Sequence, residues 1–460
     1  MKFSFLKALA LSTVSVFALT AERVGPVSQY GQLLAGKNSA GKGQIYGSCK
    51  GVQDGAEVQV KGMSLYWSLK PEAVDFWNLD GVTSMVNNMN IQIVRASMAT
   101  GSEDWWGCKT PNCGDDPSTH YRCYALDPTT QTNLVNAVVE AAIKNDIYVI
   151  IDWHSHEAQN QTESAKKFFA EMAQKWGAYD NVIFEIYNEP TDISWSEVKT
   201  YANAVIPVIR EHSDNLILVG NPKWDQNPQM AINNEVTDPK NNTAYTLHYY
   251  ANSHCYTGSY DWGGACEGTN GLEAMNAGLY LFVSEWGTGN ADGGGTPNIS
   301  KNTGWQNYMD THKLSWANWS ASRISEGTAA FTESSTANNL QYTTSGQLVL
   351  SYLQNNPTTY TACSGNVNPP EPPESIKPQN LAKQIVVQKT ANEILYTIPT
   401  NGFTTIEMFD LLGNKKYSEK ANKIPGTHSI SLNTFAEGTY IFLVRQKSAV
   451  TKTKISIVRN

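Results

Sequence analysis

The stretch "IFEIYNEPTD", residues 183–192, begins as a strand and ends on an acid. Ile183, Phe184, Ile186 and Tyr187 favour extended backbone, and Pro190 cannot continue a sheet ladder. Glu189 therefore stands where an apolar strand gives out, between Asn188 and Pro190. Further along, "LFVSEW" (281–286) repeats the layout, with Glu285 closing a second apolar run. Working outward, the runs 58–64, 91–97, 147–152, 216–220, 244–250 and 314–319 also read as strands. Helical periodicity fills intervening stretches such as 129–145 and 194–212. Strands alternating with helices in this number predict an α/β fold, a (β/α)8 TIM barrel over residues 55–363. A doubly wound sheet is the alternative, but no Gly-rich phosphate turn follows the first strand.

A TIM barrel carries its active site at the C-terminal ends of its strands. Those ends hold Arg95, "DWHSH" (152–156), Asn188, Glu189, His248, Tyr250, Glu285 and Trp319. Any one of them alone reads as a packing or surface residue. Their convergence on one barrel mouth points to chemistry. Two carboxylates across a cleft suit glycosidic bond hydrolysis: one protonates the leaving oxygen, the other attacks the anomeric carbon or activates water. Their environments must then differ, burial keeping one protonated and nearby donors keeping the other ionised.

The motifs "IIDWH" (150–154), "NEP" (188–190), "LHYY" (247–250), "SEWG" (284–287) and "SWANWS" (315–320) occur in this order. Together they resemble the cellulase-type members of glycoside hydrolase family 5, over about residues 55 to 356. The resemblance implies a (β/α)8 fold and retaining hydrolysis of β-1,4-glycans through a covalent glycosyl-enzyme. It makes Glu189 the general acid/base, Glu285 the nucleophile and Asn188 the partner of the sugar 2-hydroxyl. It puts Arg95 and Tyr250 beside the nucleophile and His154 and His248 at the sugar site. Trp319 would stack under a glycone-side sugar, and Trp224 in "GNPKWD" under a leaving-group-side one. Two departures concern subsites. "GMSLYWS" (62–68) lacks a histidine usual after the first strand, so Tyr66 or Trp67 would replace its contacts. "NWSASRISEG" (318–327) lacks a common lysine, so Arg323 with Glu326 would bind the distal sugar.

His154 and His156 form an H-x-H, a pattern that metal-dependent barrels usually place on their first strand with further ligands. Here it follows the third strand, so no metal and no cofactor are expected, and His156 reads as a loop residue or a support. Seven cysteines are present. Cys255 and Cys266 bracket a Gly-, Tyr- and Trp-rich loop and are the expected disulfide. Cys108, Cys113 and Cys123 crowd another loop, where zinc is a rival reading that lacks a fourth ligand.

The chain has 460 residues, 41% of them hydrophobic, enough for a large core and a second module. Its 13 Trp and 22 Tyr serve as core filler and as the stacking surfaces sugar clefts need. Residues 1–21 have the layout of a signal peptide: Lys2 and Lys7, an apolar run, then small residues. An extension (22–54) precedes the barrel, and a Pro-rich linker (364–380) follows it. Beyond residue 375 there are 12 Lys+Arg against 5 Asp+Glu, leaving 22 against 37 before it. Such a change of sign supports separate domains. Residues 381–460 alternate with period two, predicting a small antiparallel sandwich.

"FDLLGN" (409–414), "GTYIFLV" (438–444) and "TKTKISIV" (451–458) resemble the C-terminal sorting domains of type IX secretion substrates. The resemblance implies export across an outer membrane and a partner secretion machinery, with the tail cleaved or anchored. A carbohydrate-binding module is the rival, although the tail has no Trp and only Tyr396, Tyr417 and Tyr440 as candidate platforms. The expected protein is a secreted, monomeric endo-β-1,4-glucanase with a β-1,4-glucan substrate and no nucleic-acid partner. A β-mannanase, xyloglucanase or mixed-linkage glucanase on the same barrel, or a non-catalytic surface glycan-binding protein, are the alternatives.

Overall fold

The computed structural model describes residues 19–101, 122–363 and most of 386–457. Residues 1–18 of the expected signal peptide, the loop holding Cys108 and Cys113, and the 364–380 linker lie outside the described residues. The described chain forms two compact units, one ending at Cys363 and one starting at Val386.

The first unit opens with an antiparallel hairpin, β1 (Leu33–Lys37) and β2 (Gly43–Gly47). Parallel strands follow: β3 (Lys61–Leu65), β4 (Ile93–Ala99), β5 (Tyr148–His154), β6 (Val182–Glu185), β7 (Ile217–Val219) and β8 (Thr243–Thr246). A two-residue β9 (Tyr249–Tyr250), β10 (Leu281–Gly287) and β11 (Trp316–Ala321) complete the set. Pairing of β11 with both β10 and β3 closes the eight-stranded parallel barrel. Helices start where their sequence caps allow. Asp127 accepts from the Thr130 amide at 3.0 Å ahead of helix Pro128–Lys144. Ser194 and Glu197 form a reciprocal capping box for Trp195–Arg210.

Alternation along each strand separates two cores. Val94, Ile151, Phe184, Ile217 and Val283 face the helices. Ile93, Ile150, Ile183, Leu218, Ala244 and Phe282 fill the barrel and meet Val27, Leu33 and Ile45 of the N-terminal extension. That extension therefore plugs the end where the strands begin: the Tyr148 hydroxyl donates to the Gly31 carbonyl at 2.6 Å. Gly43 makes the close approach possible, because a Cβ there would stand 1.7 Å from the Leu279 carbonyl oxygen. Inward Arg95, Asp152 and Glu185 lie further along their strands, toward the other end.

Two expected strands are shorter than their sequence suggests. Residues 182–187 leave the sheet after Glu185, and 244–250 break at Leu247–His248. The break has a cause: the His248 amide donates to the Asp225 carbonyl at 3.0 Å instead of to the sheet.

The second unit holds β12 (Val386–Lys389), β13 (Glu393–Ile398), β14 (Gly402–Asp410), β15 (Lys415–Lys423), β16 (Gly426–Ser431), β17 (Gly438–Gln446) and β18 (Ala449–Ile457). They form two antiparallel sheets, β12-β13-β16 and β15-β14-β17-β18. Inward residues such as Ile394, Tyr396, Ile406, Met408, Phe442 and Ile455 share one core. Tyr396 and Tyr440 are thus buried and offer no exposed stacking face.

Besides the expected Cys255–Cys266 pair, a disulfide joins Cys49 to Cys363 across 314 residues of chain. It clasps the extension to the end of the barrel unit, where the Cys363 amide also donates to Ser28. Closing so long a loop restricts the unfolded chain by on the order of 5 kcal/mol in the chain-entropy view. The double substitution Cys49→Ser/Cys363→Ser is expected to lower the melting temperature by several degrees without changing catalytic rates. Calorimetry that finds no shift would refute the clasp's role.

Candidate active site

Arg95, inward on β4 and fully buried, is surrounded by acids from other strands. Its Nε donates to Glu185 Oε2 at 2.6 Å, and Nη1 to Glu285 Oε2 at 2.8 Å. Nη2 reaches Asp152 Oδ2 at 2.9 Å and Asn188 Oδ1 at 2.5 Å. Ser64 and Ser97 accept the remaining Nη1 contacts at 3.3 and 3.2 Å. A guanidinium serves here because its planar fork of donors reaches several acceptors in fixed directions.

Glu285 lies on β10 where pairing with β11 shifts register between Val283 and Trp286. Such an irregularity turns a side chain away from the regular pleat. Its Oε1 accepts from the Tyr250 hydroxyl at 2.8 Å, so both oxygens have donors. Gly287 clears space for that tyrosine, since a Cβ would lie 2.2 Å from the Tyr250 ring.

Glu189 sits in the loop after β6, its amide bonded to the Ser155 carbonyl at 3.2 Å. Its carboxyl lies between two histidines, His248 Nδ1 at 2.9 Å and His156 Nε2 at 3.0 Å. Burial pushes Glu189 up to about 7, opposed by the His248 hydrogen bond and aided by the charge of Glu285. Burial likewise lowers His248 to about 4, so the imidazole is neutral near neutrality. Its Nε2 lies 2.9 Å from Ser284 Oγ.

His154 ends β5, with Nδ1 2.6 Å from Asp152 Oδ2 and Nε2 accepting from the Trp67 indole at 3.1 Å. Its ring is parallel to Trp319 at 5.4 Å. Tyr66, Trp67 and Trp319 form an aromatic cluster with centroid spacings of 4.8, 5.0 and 6.4 Å. The peptide between Trp319 and Ser320 is cis. Trp224, 38% exposed, lies in a turn where Lys223, Trp224 and Asp225 all have positive φ. Each costs about 1 kcal/mol for a non-glycine residue. Bonds from the Lys223 and Trp224 amides to Thr191 and Pro190 hold the turn beside Glu189.

The structure thus gathers Arg95, His154, Asn188, Glu189, His248, Tyr250, Glu285 and Trp319 at one barrel mouth. Arg323 and Glu326, expected to bind the distal sugar, line one pocket with Asp292 and Gly294. Arg323 donates to Asp75 at 2.5 Å and to the Ser335 carbonyl at 3.1 Å, bracing a neighbouring loop. Glu326 accepts from the Tyr66 hydroxyl at 3.0 Å. The H-x-H also divides: His154 turns to Asp152, and His156, read as a loop or supporting residue, touches Glu189 directly.

Sequence reasoning assigns no role to Asp152, Glu185 or Ser284. Glu185 has a signal, an acid two residues beyond inward Ile183 on a barrel strand, where only a buried cation could satisfy it. Among the described residues, Glu189, His248 and Glu285 form one grouping with ligand spacing, three atoms within 4.8 Å of one another. These side chains hydrogen-bond to Arg95, Tyr250, His156 and Ser284. A cation there would also meet the Arg95 guanidinium.

Burial pushes Asp152 and Glu185 up to about 8, against the pull of Arg95. Folded values above the unfolded ones mean that the native state holds these protons more tightly. Their stabilisation is complete below about pH 4 and is lost as pH rises through about 8. Melting temperature is expected to decline between about pH 5 and about pH 9, and less steeply in Glu185→Gln. Equal slopes in both proteins would refute this assignment.

Comparison with known proteins agrees with this geometry. Residues 52–325 match the family Cellulase (glycosyl hydrolase family 5). Endoglucanase Z of Dickeya dadantii is 40% identical over 64% of this chain and 62% of its own length. An endoglucanase of Clostridium saccharobutylicum is 31% identical over 78% of this chain and 73% of its own. The chain therefore spans less than two thirds of the first of these relatives. The catalytic domain of Thermobifida fusca endoglucanase Cel5A superposes with a TM-score of 0.59 at 27% identity, covering 72% of this chain and all (100%) of that one. The same domain has been solved in complex with cellotetraose, with a TM-score of 0.57 at 26% identity over 72% of this chain and 100% of that one. Barrel, mouth and matched residues together establish that the chain belongs to the cellulase family of glycosyl hydrolase family 5.

Proposed function

We propose that this chain is a secreted endo-β-1,4-glucanase that cuts internal bonds of β-1,4-glucans with retention of configuration. One observation carries the reading: carboxyl oxygens of Glu189 and Glu285 lie within 4.8 Å, in opposite electrostatic settings. Such closeness supports the retaining arrangement, in which the carboxyl groups stand about 5–5.5 Å apart, over the wider inverting one of about 6.5–9.5 Å. It suits direct attack by one carboxylate.

Glu285, held by donors from Arg95 and Tyr250, attacks the anomeric carbon as the bond to the leaving oxygen breaks. Glu189 gives that oxygen its proton. In the second step Glu189, now ionised, takes a proton from water, and the water oxygen displaces Glu285 from carbon. Asn188, fixed by Arg95, bonds the sugar 2-hydroxyl in this reading. Trp319 supplies stacking on the glycone side and Trp224 on the leaving-group side.

The names of the endoglucanase relatives support a β-1,4-glucan as substrate. For the tail we infer a sorting or anchoring role in export. Its antiparallel sheets are compatible with this, and the burial of Tyr396 and Tyr440 weighs against a glycan-binding module.

Loss of the Glu189 proton should reduce kcat/KM as pH rises through about 7. A cellobioside with a dinitrophenolate leaving group needs no protonation and should lose this limb. Persistence of the limb with that substrate would remove Glu189 from the acid role. Proton NMR of cellohexaose digestion is expected to show internal cleavage and the β-anomer first. Early α-anomer would overturn retention, and cleavage of mannohexaose alone would move the substrate to β-mannan.

A further inference from the structure

The loop between β9 and helix Glu267–Asn276 leaves the barrel at its active face, directly after Tyr250. The Cys255–Cys266 disulfide closes it. Inside, Ser259 and Ala265 form an antiparallel bridge, and the Tyr260 amide donates to the Gly264 carbonyl at 2.7 Å. Gly263, at φ +102°, allows the tight reversal. At the tip Trp262 is 80% exposed, far more than any other large hydrophobic residue described. Tyr260 backs one face of the indole, with centroids 4.2 Å apart and planes 14° from parallel.

Tyr260 is itself fixed. Its hydroxyl lies 2.7 and 2.8 Å from the two carboxyl oxygens of buried Glu267, which also accepts the Cys255 amide at 3.0 Å. These bonds order the loop without drawing on the indole. A tryptophan with a packing role would be covered, whereas this one is held out with its second face open. A flat apolar face of this size matches the C–H face of a pyranose ring.

The position names the ligand. Asn270 Nδ2 donates to the Gln226 carbonyl at 3.1 Å and to Asn227 Oδ1 at 3.3 Å. The loop's helix is thereby tied to the turn that carries Trp224. We propose that Trp262, backed by Tyr260, is a further sugar-stacking site for β-1,4-glucan chains that leave the cleft beyond Trp224. The ligand is a neutral glucan chain too long to be held by the cleft alone, and the proposal rests on the glucanase reading above.

Binding and cleavage can be read separately. In the full chain carrying Glu285→Gln, affinity electrophoresis through hydroxyethyl cellulose measures binding without turnover. Adding Trp262→Ala is expected to weaken retardation roughly fivefold, and Trp262→Phe to restore most of it. With Glu285 intact, Trp262→Ala should raise KM for the polymer by a similar factor and leave cellotetraose kinetics unchanged. Unchanged retardation overturns the proposal, as does an equal loss on cellotetraose and polymer. If the wild type cuts neither substrate, the glucanase reading fails on its own, and retardation still decides the stacking site.

Discussion

A guanidinium buried in a barrel must be answered by charge and by hydrogen-bond acceptors, or the fold would not tolerate it. Arg95 has both, and the answer shapes the mouth. Glu185 and Asp152 come from the next two strands, Asn188 from the loop beyond β6, and Glu285 from β10. One side chain therefore fixes the proposed nucleophile and the proposed 2-hydroxyl partner relative to each other. Lysine would supply charge but not the directed donors, and a smaller residue would strand three acids in the barrel.

Regular strands aim side chains in or out and nowhere between. The site departs from that regularity at several places. Register shifts on β10 beside Glu285. The strand β8–β9 opens at His248, whose amide leaves the sheet for Asp225. Three consecutive positive-φ residues carry Trp224 beside the loop of Glu189. Each irregularity has an adjacent bond that holds it, so the barrel keeps its closure while its rim is redirected.

These irregularities also mark what sequence can and cannot disclose. The barrel is legible from apolar runs alternating with helical periodicity, and Glu189 and Glu285 from acids placed where strands end. Arg95 is legible as a strand-end residue, and the family motifs supply Asn188, His154, His248, Tyr250 and Trp319. Glu185 is hidden because an acid inside "VIFEIY" looks like an interruption until its counter-ion is known. His156 reads in sequence as a loop or supporting residue, but which carboxylate it meets is hidden, because the two rings of the H-x-H go to different ones. Arg323 has partners, Asp75 and the Ser335 carbonyl, that no local pattern displays. The Cys49–Cys363 bond joins positions too far apart for spacing to suggest.

Charge balance at the mouth bears on how one fold can hold the proposed proton donor next to the proposed nucleophile. Asp152, Glu185 and Glu285 surround a single arginine, Glu189 and Asp225 lie beside His248, and burial keeps His154 and His248 neutral. One positive charge cannot compensate five negative ones in a medium that screens poorly. Protons must remain on some of these acids, and burial raises the affinity of Asp152, Glu185, Asp225 and Glu189 for them. Glu285 differs in having a permanent cation, Arg95, on one oxygen and the Tyr250 hydroxyl on the other, where Glu189 has two histidines. The permanent cation thus stands beside the proposed nucleophile, and burial favours the proton on the proposed acid. The division follows from where the donors are, with no need for either glutamate to be chemically unusual.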